Sequence, residues 1–117
     1  MVRKNIVEAV SYRGKVLIAL LDSMKRFKEI ARTANVHDVL VNRALKEFIA
    51  KGWVTKTGDG LYMLTEDGKI VAEAVSREAR LYNLFEKAKA SDPDLLEAVL
   101  ELLNRFIKKY EAKREKL

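Results

Sequence analysis

The stretch Arg43-Ala44-Leu45-Lys46-Glu47-Phe48-Ile49-Ala50-Lys51-Gly52-Trp53-Val54-Thr55-Lys56-Thr57-Gly58-Asp59-Gly60-Leu61-Tyr62-Met63-Leu64-Thr65 changes its hydrophobic period halfway along. Before Gly52, the residues Val41, Ala44, Leu45, Phe48 and Ile49 recur at helical spacing and form one apolar face. After it, the β-prone runs Trp53–Thr57 and Leu61–Leu64 flank Gly58-Asp59-Gly60. Glycine supplies the positive φ that a tight turn needs, so two strands joined as a hairpin are expected. Thr65 then offers a hydroxyl cap for a new helix, and Glu66 and Asp67 favour its dipole.

Working outward, the helix before Gly52 starts near His37 or Asp38. Asn35, a residue that tolerates the left-handed conformation, closes a shorter helix in which Phe27, Ile30, Ala31 and Ala34 recur at i, i+3, i+4, i+7. A first periodic segment covers Lys4 to Asp22, with Ile6, Val10, Leu17, Ala19, Leu20 and Leu21 near helical spacing and Gly14 weakening its middle. On the other side, Ile70, Val71, Ala74 and Val75 continue the helix capped by Thr65 to about Ala90. Ser91-Asp92-Pro93-Asp94 starts a final helix, with Asp92 as cap and Pro93 at the first helical position. The fold class is mainly α with one small β-hairpin.

Composition narrows the chemistry. The chain has 117 residues, 49% hydrophobic and 34% charged, a folding composition of single-domain size. It has no cysteine and a single histidine, His37, which excludes disulfides and thiolate metal sites and argues against any metal centre or cofactor. The longest apolar runs, such as Val16–Leu21, are far shorter than the roughly 20 residues that cross a bilayer. No membrane association is expected, and the protein is expected in the cytoplasm, associated with the nucleoid if it binds DNA. The absence of glutamine beside abundant Lys, Arg and Glu suits a thermophilic, archaeal source. No glycine-rich phosphate loop or nucleophile constellation occurs, so an enzyme is not expected.

The charge is unevenly spread. Residues 1–56 carry twelve Lys and Arg against five Asp and Glu, whereas residues 57–117 carry eleven against twelve. The net charge of +6 therefore resides in the first half. Clustered cations of this kind suit a polyanion, because each phosphate they neutralise releases counterions.

The order helix, helix, helix, strand, strand, helix resembles a winged helix-turn-helix. Arg26-Phe27-Lys28-Glu29-Ile30-Ala31, Asn35-Val36-His37 and the run from Arg43 to Val54 resemble the prokaryotic winged-helix regulators of the MarR, PadR and HxlR kind. Leu45, Phe48, Gly52 and Val54 match the run that closes the recognition helix and opens the wing. Tyr62-Met63-Leu64-Thr65-Glu66-Asp67-Gly68 is similar to the signature that follows it. The likeness covers about residues 14–75. Asn35 stands where glycine is common, Val39 and Leu40 are apolar where exposed polar residues are usual, and the wing is short, with Lys56 as its nearby cation.

The resemblance implies double-stranded DNA as partner, with the helix of about residues 37–51 in the major groove. His37, Asn42, Arg43 and Lys46 lie off its apolar face. Arginine pairs bidentately with guanine and asparagine with adenine, while Lys46 suits a phosphate. Lys25, Arg26, Lys28 and Arg32 flank the helix that crosses the backbone and are expected at phosphates, with Lys56 on the wing. Trp53 and Tyr62 are expected in the core.

From residue 95 the apolar positions fall in two adjoining seams, Leu95, Val99, Leu102, Phe106 and Leu96, Leu100, Leu103, Ile107, Tyr110. So wide a face suits packing against the same helix of a second chain, giving a homodimer. Two parts are thus expected: a winged helix-turn-helix over 1–90 and a C-terminal dimerisation helix over 91–117. The junction between the wing portion and the last helices is a natural place for an effector ligand of unknown identity. Three functions remain open: a dimeric, sequence-specific transcription regulator, an architectural chromatin protein without sequence preference, and a winged-helix module that binds another protein.

Overall fold

A computed structural model describes residues 11–115. The elements run α1 (Tyr12–Ala19), β1 (Lys25–Arg26), α2 (Phe27–Ala34), α3 (Asp38–Ala50), β2 (Val54–Lys56), β3 (Leu61–Leu64), α4 (Glu66–Ser91) and α5 (Pro93–Glu115). They divide into two compact units, one up to Arg80 and one from Leu81, the division falling within the sequence of α4. The break between α4 and α5, near which a boundary was expected, is a tight turn made by Asp92.

In the first unit, α1, α2 and α3 close over Val16, Leu17, Leu20, Ile30, Val41, Ala44, Leu45 and Phe48. Trp53 and Val54 from the start of the hairpin and Ala72 and Val75 from α4 complete this core. Phe48 is wholly buried, with its ring centroid 5.7 Å from that of Trp53. Trp53 and the half-buried Tyr62 are core residues, as their strand positions suggested.

Local chemistry explains how the elements end. Asn35 closes α2 in the left-handed region, φ 54° and ψ 52°, and the Val36 N–H donates back to the Ala31 carbonyl at 3.1 Å. Gly52 does the same for α3 at φ 77°, with Trp53 N–H donating to Phe48 O at 2.9 Å. Each turn satisfies carbonyls that a helix end leaves open and redirects the chain within two residues. Thr65 caps α4 as expected: its Oγ1 accepts from Gly68 N–H at 3.1 Å and donates to the Gly52 carbonyl at 2.6 Å. Asp92 caps α5, its Oδ1 accepting from Asp94 N–H at 2.9 Å.

Four expectations need correction. Helix α1 starts at Tyr12 and ends at Ala19, because Ser11 is extended (φ −79°, ψ 164°) and its hydroxyl caps Gly14 N–H. The expected helical turns over residues 4–10 lie outside the described residues. The sheet has three antiparallel strands in the order β1-β3-β2, with Lys25 opposite Tyr62 and Arg26 opposite Leu61. A two-residue strand is too short to show a period, so β1 left no pattern to read. Ile49 and Ile70 are exposed, at 43% and 68%. In α4 the buried face instead runs Gly68, Ala72, Val75, with Val71 and Ala79 half-buried and Ala74 exposed.

Between α1 and α3, Glu47 accepts hydrogen bonds from Arg13 and from the Lys51 ammonium, the latter at 3.1 Å. Burial would raise the Glu47 pKa, but the two cations overcome it and hold the carboxyl below its usual range. A carboxyl so depressed adds stability above its unfolded pKa and loses it as pH falls through the folded one. Acid unfolding of Glu47→Gln is therefore expected to start from a lower stability at pH 7 and to show a shallower decline below about pH 4, as read by thermal melts across pH.

In the second unit, Ala88 of α4 is buried, and Phe85 with Leu96, Val99 and Leu103 of α5 are half-buried. Leu81, Leu84, Phe85, Ala88, Leu95 and Val99 line an apolar groove of about 380 Å³. Among the described residues, no helix is long and apolar enough to cross a membrane.

Candidate nucleic-acid interface

Helix α3 has two faces of opposite character. Val41, Ala44, Leu45 and Phe48 anchor it in the core, which turns Val39, Asn42, Arg43 and Lys46 to solvent along one stripe at i, i+3, i+4, i+7. His37 is the N-terminal cap residue; its carbonyl accepts from Leu40 and Val41 N–H, both at 3.0 Å, while its exposed side chain makes no capping bond. Asp38 follows it at the helix start. A bare carboxylate there would repel phosphate, but Lys28 of α2 reaches across the turn to Asp38 Oδ2 at 2.6 Å and neutralises it. Both side chains stay largely exposed, so this pair fixes the charge pattern more than it stabilises the fold.

The cations flanking α2 separate into three situations. Arg32 and Lys28 are exposed. Arg26 is exposed but engaged: its guanidinium donates to the Asp59 carbonyl at the tip of the wing at 2.8 Å, and its N–H donates to Glu29 Oε1 at 3.1 Å. This ties the hairpin tip to the start of α2, a role that became readable only once β1 placed Arg26 beside Leu61. Lys25 is the correction in this group. Its side chain is buried, with the ammonium on Asp22 Oδ1 at 2.6 Å and Ser23 Oγ at 3.2 Å, because the β1–β3 register turns it inward. It stands opposite Tyr62 as a structural cation and is withdrawn from the phosphate-binding set. Asp22, its partner, is held below the usual carboxylate range mainly by the Lys25 hydrogen bond.

On the wing, Lys56 is exposed with its ammonium 5.5 Å from the Tyr62 ring centroid. The tip closes through Thr57, whose N–H donates to Leu61 O at 2.7 Å and whose hydroxyl accepts from Leu61 N–H at 3.1 Å. The first unit therefore displays a helix with a polar solvent stripe, exposed cations on α2 and a wing cation. Among the described residues, no three His, Cys, Asp or Glu side chains stand together as a metal site.

A family model, the HVO_A0261 N-terminal domain, matches residues 5–84. The chain belongs to that family. The matched span takes in all of α1 to β3 and most of α4, the elements that build and present α3. Among solved structures, the quinone-bound YodB of B. subtilis is 30% identical, with 61% of this chain aligned to 80% of that one at a TM-score of 0.53. Lactococcus lactis ZitR in complex with DNA is 18% identical over 89% of this chain and 77% of its own, at a TM-score of 0.58. The reduced form of E. coli MarR is 22% identical over 82% and 72%, at 0.59. These likenesses show a winged helix with a C-terminal helix, the fold of MarR-family regulators. A search of curated proteins finds no significant match.

Each apolar seam of α5 mixes half-buried and exposed positions. Leu96, Val99 and Leu103 are half-buried, whereas Leu95, Leu100, Leu102, Phe106, Ile107 and Tyr110 are exposed at 43–63%.

Proposed function

We propose that this HVO_A0261 N-terminal domain family member is a dimeric, sequence-specific DNA-binding transcription regulator. The observation that carries the reading is the division of α3 into a core-anchored face and a solvent stripe of Asn42, Arg43 and Lys46, flanked by Arg32 and Lys56, with Lys28 holding the nearby Asp38 carboxylate. Those side chains can form bidentate contacts to adenine and guanine edges and reach phosphates. The ZitR relative of the same fold has been solved on DNA, which supports this use of the fold.

Dimerisation would rest on α5. Six large apolar side chains exposed on one helix of a heavily charged protein need a cover, and a second copy of the helix provides it with the same apolar character. Two copies then offer two α3 helices to DNA, so the target carries paired half-sites about one turn, ~10 base pairs, apart.

Selection of bound duplexes from a random pool tests both parts, with sedimentation analysis of the protein alone. Enriched paired half-sites and a dimer are expected. Phe106→Glu together with Leu102→Glu is expected to leave monomers that bind single half-sites only weakly. An unenriched pool would refute the specific-regulator reading, and a monomeric wild type would refute the dimer.

A further inference from the structure

Val39 is the misfit on the solvent stripe of α3. It is 69% exposed, the most exposed of the large apolar side chains among the described residues, and sits in the first turn of the helix. A β-branched residue is a poor helix former, and in this place it recovers nothing by packing, since Val41 on the other side of the helix takes the core position. Stability alone does not account for an apolar group here.

Its neighbours on the stripe do. Val39, Asn42, Arg43 and Lys46 follow one another at i, i+3, i+4, i+7, so Val39 continues toward the helix N-terminus the line of groups assigned to base edges and backbone. Residues in the first turns of a groove-lying helix are those that reach base edges. One major-groove feature is apolar, the C5-methyl of thymine, and a small branched side chain is its natural partner. The Lys28–Asp38 pair keeps the adjoining carboxylate from repelling the duplex at this end.

We infer that Val39 is a specificity-determining residue that reads a thymine methyl in each half-site. The inference rests on the assignment of α3 to the major groove. Val39 and Asn42 are three residues apart, about 4.5 Å along the helix, so the thymine lies within roughly two base pairs, at ~3.4 Å each, of the adenine assigned to Asn42.

The test uses the full chain and the duplexes it selects from a random pool. Each thymine is replaced in turn by deoxyuridine, which removes the methyl alone. At one position per half-site, uracil is expected to weaken wild-type binding roughly three- to ten-fold, the size of one buried methyl group. Val39→Ala is expected to bind thymine and uracil duplexes equally at that position, while keeping the wild-type response elsewhere. Val39→Thr, which retains one methyl, should fall between the two. Because the side chain is outside the core, neither variant should lose stability, and Val39→Ala, the better helix former, should melt at or slightly above the wild type. Insensitivity of the wild type to uracil at every position, or full thymine dependence in Val39→Ala, would overturn the inference while leaving specific binding intact. Failure to select any duplex would overturn the groove assignment itself, and this inference with it.

Discussion

Replacing Arg43 and Lys46 together by alanine is expected to remove most of the difference in affinity between a selected duplex and a scrambled one, leaving the part that Asn42 and Val39 supply. Both side chains are exposed on the solvent stripe of α3 and contribute nothing to the core. Melting should therefore stay within about 0.5 kcal/mol of wild type. Binding should not. A bidentate arginine contact discriminates by about 1–3 kcal/mol, and two half-sites per dimer double that, so affinity for the selected duplex should fall by roughly 30-fold to 10⁴-fold. Affinity for the scrambled duplex should fall only by the loss of the arginine and lysine charges. Equal weakening on both duplexes would mark an architectural protein that reads backbone alone. No change on either would point to a protein-binding use of the fold.

The second large effect is on folding. Gly68→Ala lies in the first turn of α4, where helix propensity by itself predicts a gain of up to about 1 kcal/mol. The packing predicts the reverse. A Cβ at Gly68 would stand 2.7 Å from the Trp53 carbonyl carbon and nearer still to its oxygen. That carbonyl is not free to retreat, because it accepts the Thr65 N–H at 2.9 Å while Thr65 Oγ1 bonds the adjacent Gly52 carbonyl. The substitution must separate α4 from the start of the hairpin, and with it Ala72 and Val75 from the core. Overpacking of this kind ordinarily costs about 1–3 kcal/mol, and a clash with fixed backbone belongs at or above the top of that range. Denaturant unfolding should show a loss of at least ~3 kcal/mol against the propensity gain. A stabilised variant would mean that the close approach of α4 to Trp53 is not as described.

The same contacts explain what was legible in the sequence. Gly52 and Asn35 announced their turns because left-handed backbone restricts the residue type, and Thr65 and Asp92 announced their helices because a cap needs a short side-chain oxygen. The change of period at Gly52 placed α3, the hairpin and the core between them. Positions decided by tertiary packing were harder. Ile70 belongs to the apolar repeat that marks α4 as a helix, yet the close contact at Gly68 turns α4 so that Ala72 and Val75 face inward and Ile70 faces water. Lys25 looked like one more surface cation, but pairing with β3 buries it against Asp22 and Ser23. The wing-tether role of Arg26 leaves no mark in the sequence for the same reason, since no periodicity marks a two-residue strand. Of the candidate interface, the α3 stripe of Asn42, Arg43 and Lys46 was legible because the opposite face is so plainly apolar. The α5 seams were legible as a wide apolar face, but not their division into half-buried and exposed positions, which depends on what lies beside them.

Fluorescence-anisotropy titration of the wild-type chain against a selected duplex and its scrambled counterpart, each across a range of salt, tests sequence-specific recognition most directly. Arg32, Lys46 and Lys56 on each of two protomers supply six of the expected phosphate contacts, Lys28 being held by Asp38. The logarithm of affinity should then fall with the logarithm of salt at a slope near −5 on either duplex. On the selected duplex, a preference of at least roughly 10³-fold should persist as salt rises, because base contacts release few counterions. Equal affinities and a common slope on the two duplexes would contradict sequence-specific recognition.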